Sequence, residues 1–340
     1  MKTTDFAYYL SKYFKTYMPG TQGLRKQSIR SYKNGFYVFF RYMKNVKGIV
    51  PDKITIDTFN VELLMEFLDY LENNGNSVAT RNHRLTVLRS FFNYIQLVDP
   101  EHILLMQQLL SVKHKKAPKP TVNYLTIDGI KCILDAPLST TRHGYRDMML
   151  LATLYETGAR VSEITGLTIG DIRFESPATA LLHGKLGKSR IVPLSDELAD
   201  KIQNYLSKEK LTGFEHRSRL LFTNHSGNML TDAGVRYILK KYADSTRRER
   251  PALIPEKLTT HSLRHSKAMH LLQSGVDLIY IRDVLGHEHL KTTEIYAKTD
   301  SKQKRKAIEA AYCDLPDDSD FAGDWNQDAG LMQWLDNICR

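Results

Sequence analysis

The sequence is poor in the features that mark several protein classes. Three cysteines, Cys132, Cys313 and Cys339, are scattered through 340 residues. They make neither a disulfide framework nor a Cys-x-x-Cys zinc pair, which suits a reducing compartment. No run reaches the roughly 18 uninterrupted apolar residues of a membrane span, and the opening MKTTDFAYYLSKYFKTY lacks the apolar centre of a signal peptide. A cytoplasmic protein with no membrane partner is expected. There is no Walker motif, internal repeat or low-complexity tract.

What is present is positive charge and length. The formal net charge is +10 and the isoelectric point near 9.3, which favours a polyanionic partner. Residues 1–120 carry 18 Lys and Arg against 9 Asp and Glu, whereas residues 313–340 carry seven Asp against one Arg. The body is basic and only the tail acidic, as expected if two domains grip nucleic acid. A chain of this length suits two domains, each large enough for its own core.

Residues 1–110 show apolar spacing of three and four in FAYYLSKYFKTY, IRSYKNGFYVFFRYM, FNVELLMEFLDYLENNG and SVATRNHRLTVLRSFFNYIQLV, which predicts a helical bundle. Stops are expected at Pro19-Gly20, Gly48 and Asn73-Asn74-Gly75, and Ser77 can cap the fourth helix. The domains are expected at 1–112 and 124–312, joined by a basic, proline-bearing linker at 113–123 and followed by the tail at 313–340. The second domain reads as α+β. Helices are expected at about Ile127–Leu134, over YRDMMLLATLYETG, and at Asp196–Lys210, Thr231–Ala243, Ser262–Gly275, Leu278–Leu285 and Lys291–Lys298, with strands in IRFE, ATALLHG and RIVPL around a KLGKS turn. The fold class is therefore mostly α, with one small antiparallel sheet.

Candidate chemistry starts in THSLRHSKAMHLL. His261 and Arg264 lie three apart and share one side of a helix, so an imidazole and a guanidinium fork at a helix start make a phosphate site. Alone, the pair reads equally as an exposed His and a salt-bridged Arg. In VLGHEHLKTTEIYAK, His287 follows a helix-ending Gly and Tyr296 lies nine residues later; alone, that Tyr reads as core filling.

Together these motifs resemble the tyrosine recombinase and integrase family. The resemblance rests on Gly-Ala-Arg160-Val-Ser-Glu163, Gly184-Lys185, His261-Ser-Leu-Arg264-His265, Leu-Gly-His287 and Tyr296, in the family's order. It implies a SAM-like core-binding domain and a catalytic domain that together embrace duplex DNA. It further implies strand exchange by a site-specific recombinase through a 3′-phosphotyrosyl link on Tyr296, in a bacterial, phage or mobile-element setting. Arg160 and Arg264 would hold phosphate oxygens, since guanidinium stays charged and binds two of them bidentately. His261 is the candidate base for the phenol, and His287 would donate to a phosphate oxygen. The resemblance assigns Lys185 as the acid for the 5′ hydroxyl, with Lys188 a rival in the same turn, and Glu163 orients Arg160 or the turn. The phosphotyrosine conserves bond energy, so no ATP and no other cofactor is expected. No metal is expected either: where zinc proteases have a Glu after the first His of a His-x-x-x-His pair, this chain has Ser262.

Arg81, Asn82, Arg84 and Arg89 lie along a helix otherwise packed by Leu85, Leu88 and Phe92 and are candidate DNA readers, the alternative being a solvated basic face. Lys26, Arg30 and Lys33 are candidate phosphate contacts, as are Lys267, Arg236 and Lys240. In the tail, Leu331, Trp334, Leu335 and Ile338 form a short apolar stripe. By the resemblance it docks on a neighbouring protomer of a tetramer; the alternative is packing on its own domain. Rival readings are a type IB topoisomerase, Xer-type dimer resolution, and a DNA-binding regulator with an inert pocket. The chain starts almost at its first helix, so the arm-binding domain of some phage integrases is expected to be missing.

Overall fold

The computed structural model describes residues 4–24, 26–117, 123–137, 141–184 and 187–299, and further on Gly330, Gln333, Trp334 and Asn337. The chain packs as two units, residues 1–120 and 121–340, each described by itself. Lys185 lies outside the described residues, and so does the tail stripe except for Trp334, which is exposed.

In the first unit, α1 (Asp5–Lys12) starts at Thr4, whose hydroxyl accepts from the Ala7 amide. After α1 the helical path widens to π geometry over Tyr13–Thr21 and ends one residue past the expected stop at Pro19-Gly20. The reason is packing: Tyr13 and Met18 are both fully buried and hold this segment against the core. Then come α2 (Lys26–Asn45), α3 (Val61–Asn73), α4 (Val78–Val98) and a further helix that periodicity did not reveal, α5 (Ile103–Ser111). Asn60 caps α3 through the Leu63 amide at 2.7 Å, and Ser77 caps α4 as expected. The core is a lattice of aromatic rings in which Phe91 meets Phe6 at 5.5 Å and Phe36 at 5.4 Å, both edge-on. Burying each such ring contributes about 1.5–3 kcal/mol, and the edge-to-face geometry adds roughly 0.5–1.5 kcal/mol per pair.

The second unit opens with α6 (Ile127–Asp135) and α7 (Arg142–Glu156), whose Met149, Leu150, Leu151 and Leu154 have no exposed surface. A five-residue helix, α8 (Val161–Thr165), too short to show a period, leads into β1 (Ile172–Arg173), β2 (Thr179–His183) and β3 (Ser189–Pro193). These strands form one antiparallel sheet in the order β1-β2-β3, with Ala180 opposite Val192 and Leu182 opposite Arg190. Ala180, Leu182 and Val192 face the core and Ile191 faces solvent. Then come α9 (Asp196–Lys208), α10 (Asp232–Glu249), α11 (Thr260–Gln273), α12 (Leu278–Leu285) and α13 (Leu290–Thr299). α10 runs on past Ala243 because Thr246 is still buried against the core.

Candidate active site

Four local structures converge on one pocket. α7 ends at Gly158, in a left-handed conformation (φ +57°), where a side-chain Cβ would stand 2.8 Å from Leu285. The chain then turns so that Arg160 precedes α8. The backbone amide of Arg160 donates to Glu163 Oε2 at 2.8 Å, and its guanidinium donates to Glu163 Oε1 at 2.9 Å. These two bonds, both donated by Arg160 to Glu163, fix the direction of the arginine.

The second structure is α11. Thr259 caps it through the Ser262 amide, setting His261, Arg264 and His265 on one side of its first turns. Arg264 is 3% exposed and donates to the Gly158 carbonyl at 2.7 Å and to the Leu285 carbonyl. The third is the end of α12. Gly286, at φ +63°, closes it, and its carbonyl accepts from Arg160 at 3.4 Å. Consecutive carbonyls at residues 285 and 286 thus gather the two guanidinium groups. The fourth is α13, which presents Thr293 and Tyr296. Thr293 Oγ1 bonds His287 Nδ1 at 2.9 Å, leaving His287 Nε2 unclaimed among the described residues.

Three positive groups so close together need a counter-charge. Glu163 supplies it: beyond Arg160 it accepts from Arg190 on β3 at 3.0 and 2.8 Å, and Arg190 Nε is fixed to the Val284 carbonyl at 2.8 Å. Burial works to raise the Glu163 carboxyl, but Arg190 and Arg160 outweigh it and hold it below the usual carboxylate range. Burial and the charges of Arg160 and Arg190 push Arg264 down to about 10, so it stays cationic at neutral pH. His287 is pushed down to about 4 by burial and then by Arg264 and Arg160. Partial burial, Arg264 and Arg160 also lower His261. Neutral imidazoles that donate, beside permanent cations, suit a site waiting for an anion. An open cavity of about 610 Å3 fronts it, lined by Arg160, Lys188, Arg190, His287 and His289 among others.

Tyr296 is 1% exposed and packs with Met269, Ile281 and Leu285, as core-filling residues do. Its ring nevertheless lies nearly parallel to His287, 6.4 Å away, and its hydroxyl meets His265 Nδ1 at 2.9 Å. His261, expected as the base, stands one helical turn back from His265 with ring centres 6.3 Å apart; among the described residues the hydroxyl's partner is His265. Lys188 reaches over the hairpin to Glu288 at 2.6 Å, both exposed, and the Gly184 amide donates to the Lys188 carbonyl at 2.7 Å to close the turn. Among the described residues no three His, Cys, Asp or Glu side chains are grouped to hold a metal.

The first-unit candidates divide. Arg81 is buried and ion-paired with Glu72 at 2.8 Å. Asn82 donates to the Lys115 carbonyl at 2.7 Å and accepts its amide at 3.1 Å. Arg89 holds the carbonyls of Leu110 and Val112 at the end of α5. In this structure these three side chains hold groups of their own unit, which makes them braces of the bundle. Arg84 is half-buried, with an Nε that has no hydrogen-bond partner among the described residues, while Lys26, Arg30 and Lys33 are exposed on α2. The sequence reading missed Arg190 and Thr293, and gave His265 a place in the motif but no role. Arg190 could have been found: two residues before Val192 on β3, it falls on the inward face, where a charge demands a partner.

Comparison with known proteins agrees with this geometry. The phage integrase family matches residues 123–303, and its N-terminal SAM-like domain matches residues 12–96. Tyrosine recombinase XerC of Thermodesulfovibrio yellowstonii is 32% identical over 307 residues, covering 88% of this chain and 94% of its own. Tyrosine recombinase XerA of Pyrococcus horikoshii is 33% identical over 301 residues, covering 88% and 92%. Among solved structures, XerH bound to its difH substrate before cleavage is 25% identical with a TM-score of 0.63, covering 84% of this chain and 79% of that one. The Tn1549 transposon integrase on a circular intermediate DNA has a TM-score of 0.67 at 16% identity, a likeness of fold, covering 92% and 100%. From its SAM-like first unit to the arginine-lined pocket of its second, the chain belongs to the phage integrase family of tyrosine recombinases, enzymes that cut and rejoin DNA.

Proposed function

We propose that this recombinase acts at a defined duplex site, with Tyr296 attacking the scissile phosphorus to form a 3′-phosphotyrosyl bond. Arg160 and Arg264 bind the non-bridging oxygens, joined by His261 and by His287 through Nε2. The 5′ oxygen leaves with a proton from Lys185, or from Lys188 in the same hairpin, and a second 5′ hydroxyl later attacks the phosphotyrosine to join the exchanged strand. The observation that carries this reading is the seating of the Arg160 and Arg264 guanidinium groups on consecutive carbonyls beside His287, whose ring overlies Tyr296. Cations fixed before the substrate arrives stabilise the extra charge of a pentacoordinate phosphorus without reorganisation. XerH on difH and the Tn1549 integrase on transposon DNA support duplex DNA as the substrate, and they support a task in moving or resolving DNA elements. The working assembly is a tetramer in which the tail of one protomer docks on the next.

The test is incubation with a library of nicked duplexes that trap the covalent intermediate. Wild-type protein is expected to yield an adduct stable to denaturant and Tyr296→Phe none. An adduct that survives Tyr296→Phe overturns the reading. Removal of residues 315–340 is expected to leave single-site cleavage and abolish the tetramer on DNA.

A further inference from the structure

We propose that His265 is a further catalytic residue: its Nδ1 takes the proton of the Tyr296 hydroxyl as that oxygen attacks phosphorus, and returns it when the strands are rejoined. The inference rests on the reading of Tyr296 as nucleophile and assigns the proton that this reading leaves open.

The contact is direct. The phenol oxygen lies 2.9 Å from His265 Nδ1, with ring centres 5.7 Å apart and planes inclined by 58°. The pair is held from both sides: α11 is capped at Thr259 and tied through Ser266, whose hydroxyl accepts from the Leu125 amide at 2.8 Å, while Thr293 on α13 is fully buried one turn before Tyr296. For Nδ1 to accept, the ring must be neutral with its hydrogen on Nε2. Its surroundings enforce that. His261 and Arg264 on the same helix, Arg160 and Glu163 at α8, Arg190 on β3 and His287 after α12 all belong to this pocket, and their sum is cationic. Burial, then His261 and Arg264, push His265 down to about 4. Burial raises the phenol, against the pull of Arg264.

Without DNA the transfer is therefore strongly uphill, and the nucleophile rests as a phenol. A scissile phosphate lowers the cost of the imidazolium. Its negative charge beside Arg160 and Arg264 offsets the cations that oppose an imidazolium, so the substrate itself makes His265 a competent base. In the step, the Tyr296 O–H bond breaks and an N–H bond forms at His265 Nδ1. The phenol oxygen's electron pair forms the new P–O bond, and the bond to the 5′ oxygen breaks with its electrons on that oxygen, which takes a proton from the hairpin lysine. Resealing runs the sequence backwards.

The experiment uses full-length protein on a nicked duplex carrying its recombination site, under single-turnover conditions. Wild type, His265→Asn, His265→Gln and His261→Gln are compared, each with tyrosine or the more acidic 2,3-difluorotyrosine at position 296, with Tyr296→Phe as the control that lacks the nucleophile. His265→Asn and His265→Gln are expected to slow adduct formation about a hundredfold, the usual scale of lost proton transfer, with DNA affinity within about twofold of wild type. Difluorotyrosine is expected to restore at least roughly tenfold of that loss in the His265 variants and to change wild type little, because a more acidic phenol needs less help from a base. Two substitutions of different reach, checked by melting and DNA affinity, separate lost chemistry from lost folding. Cleavage by both within about threefold of wild type overturns the inference. So does a deficit that difluorotyrosine leaves untouched, or rescue seen only with His261→Gln. Failure of wild type to form any adduct overturns instead the assignment of Tyr296.

Discussion

Arg264 is held in place by two backbone carbonyls. Arg264→Lys keeps the charge but loses the fork, and single-turnover cleavage is expected to fall about a hundredfold or more. The variant leaves one or both carbonyls unpaired, at about 1–3 kcal/mol each, so a lowered melting temperature should accompany the slower reaction. A second residue-scale prediction concerns acid. His265 and His287 titrate near 4 in the folded protein and His261 is also lowered, whereas in the unfolded chain all three take up protons near the model-peptide value of about 6.5. As pH falls below that value the unfolded state binds protons that the native rings refuse. Stability from these groups is therefore present above about pH 6.5 and lost progressively towards pH 4. Melting measured across that window should show the loss, with a shallower slope in His287→Gln. At this scale Arg160, Arg264, His287 and Tyr296 were legible because each sits in a short motif. Arg190 and the pairing of His265 with Tyr296 were not, since both depend on which side chains meet across elements distant in sequence.

At the scale of elements, the end of α12 is the piece on which the pocket turns. Its boundaries, Leu278–Leu285 with a terminal glycine, were readable to the residue, because a left-handed cap nearly specifies glycine. Gly286→Ala is expected to cost about 1 kcal/mol or more for the backbone conformation, and its Cβ would stand 3.0 Å from the Arg190 side chain. Cleavage should fall by more than tenfold while DNA affinity is largely kept. In the first unit, α4 was legible as an amphipathic helix, but its basic residues were not legible as braces. Their partners, Glu72 on α3 and the carbonyls at the end of α5, belong to other helices. Arg89→Ala should therefore lower thermal stability by roughly 1–3 kcal/mol and leave the salt dependence of DNA binding unchanged. Lys26→Ala and Lys33→Ala should instead each reduce the slope of log affinity against log salt by about 1, with stability unaltered.

For the molecule as a whole, the two units own separate cores: an aromatic lattice around Phe91 in the first, and an aliphatic one around α7 in the second. Calorimetry is expected to resolve two unfolding transitions, and Phe91→Ala, at about 3–5 kcal/mol, should move only one of them. The mostly helical fold with its small sheet was legible from periodicity, whereas the π geometry over Tyr13–Thr21 was not, because it follows from how Tyr13 and Met18 pack into the core. Of the 18 tyrosines in the chain, Tyr296 is stored among aliphatic side chains with almost no surface. Dinucleotides, simple phosphodiesters and surface-labelling reagents are therefore expected to leave the Tyr296 hydroxyl of the DNA-free protein untouched.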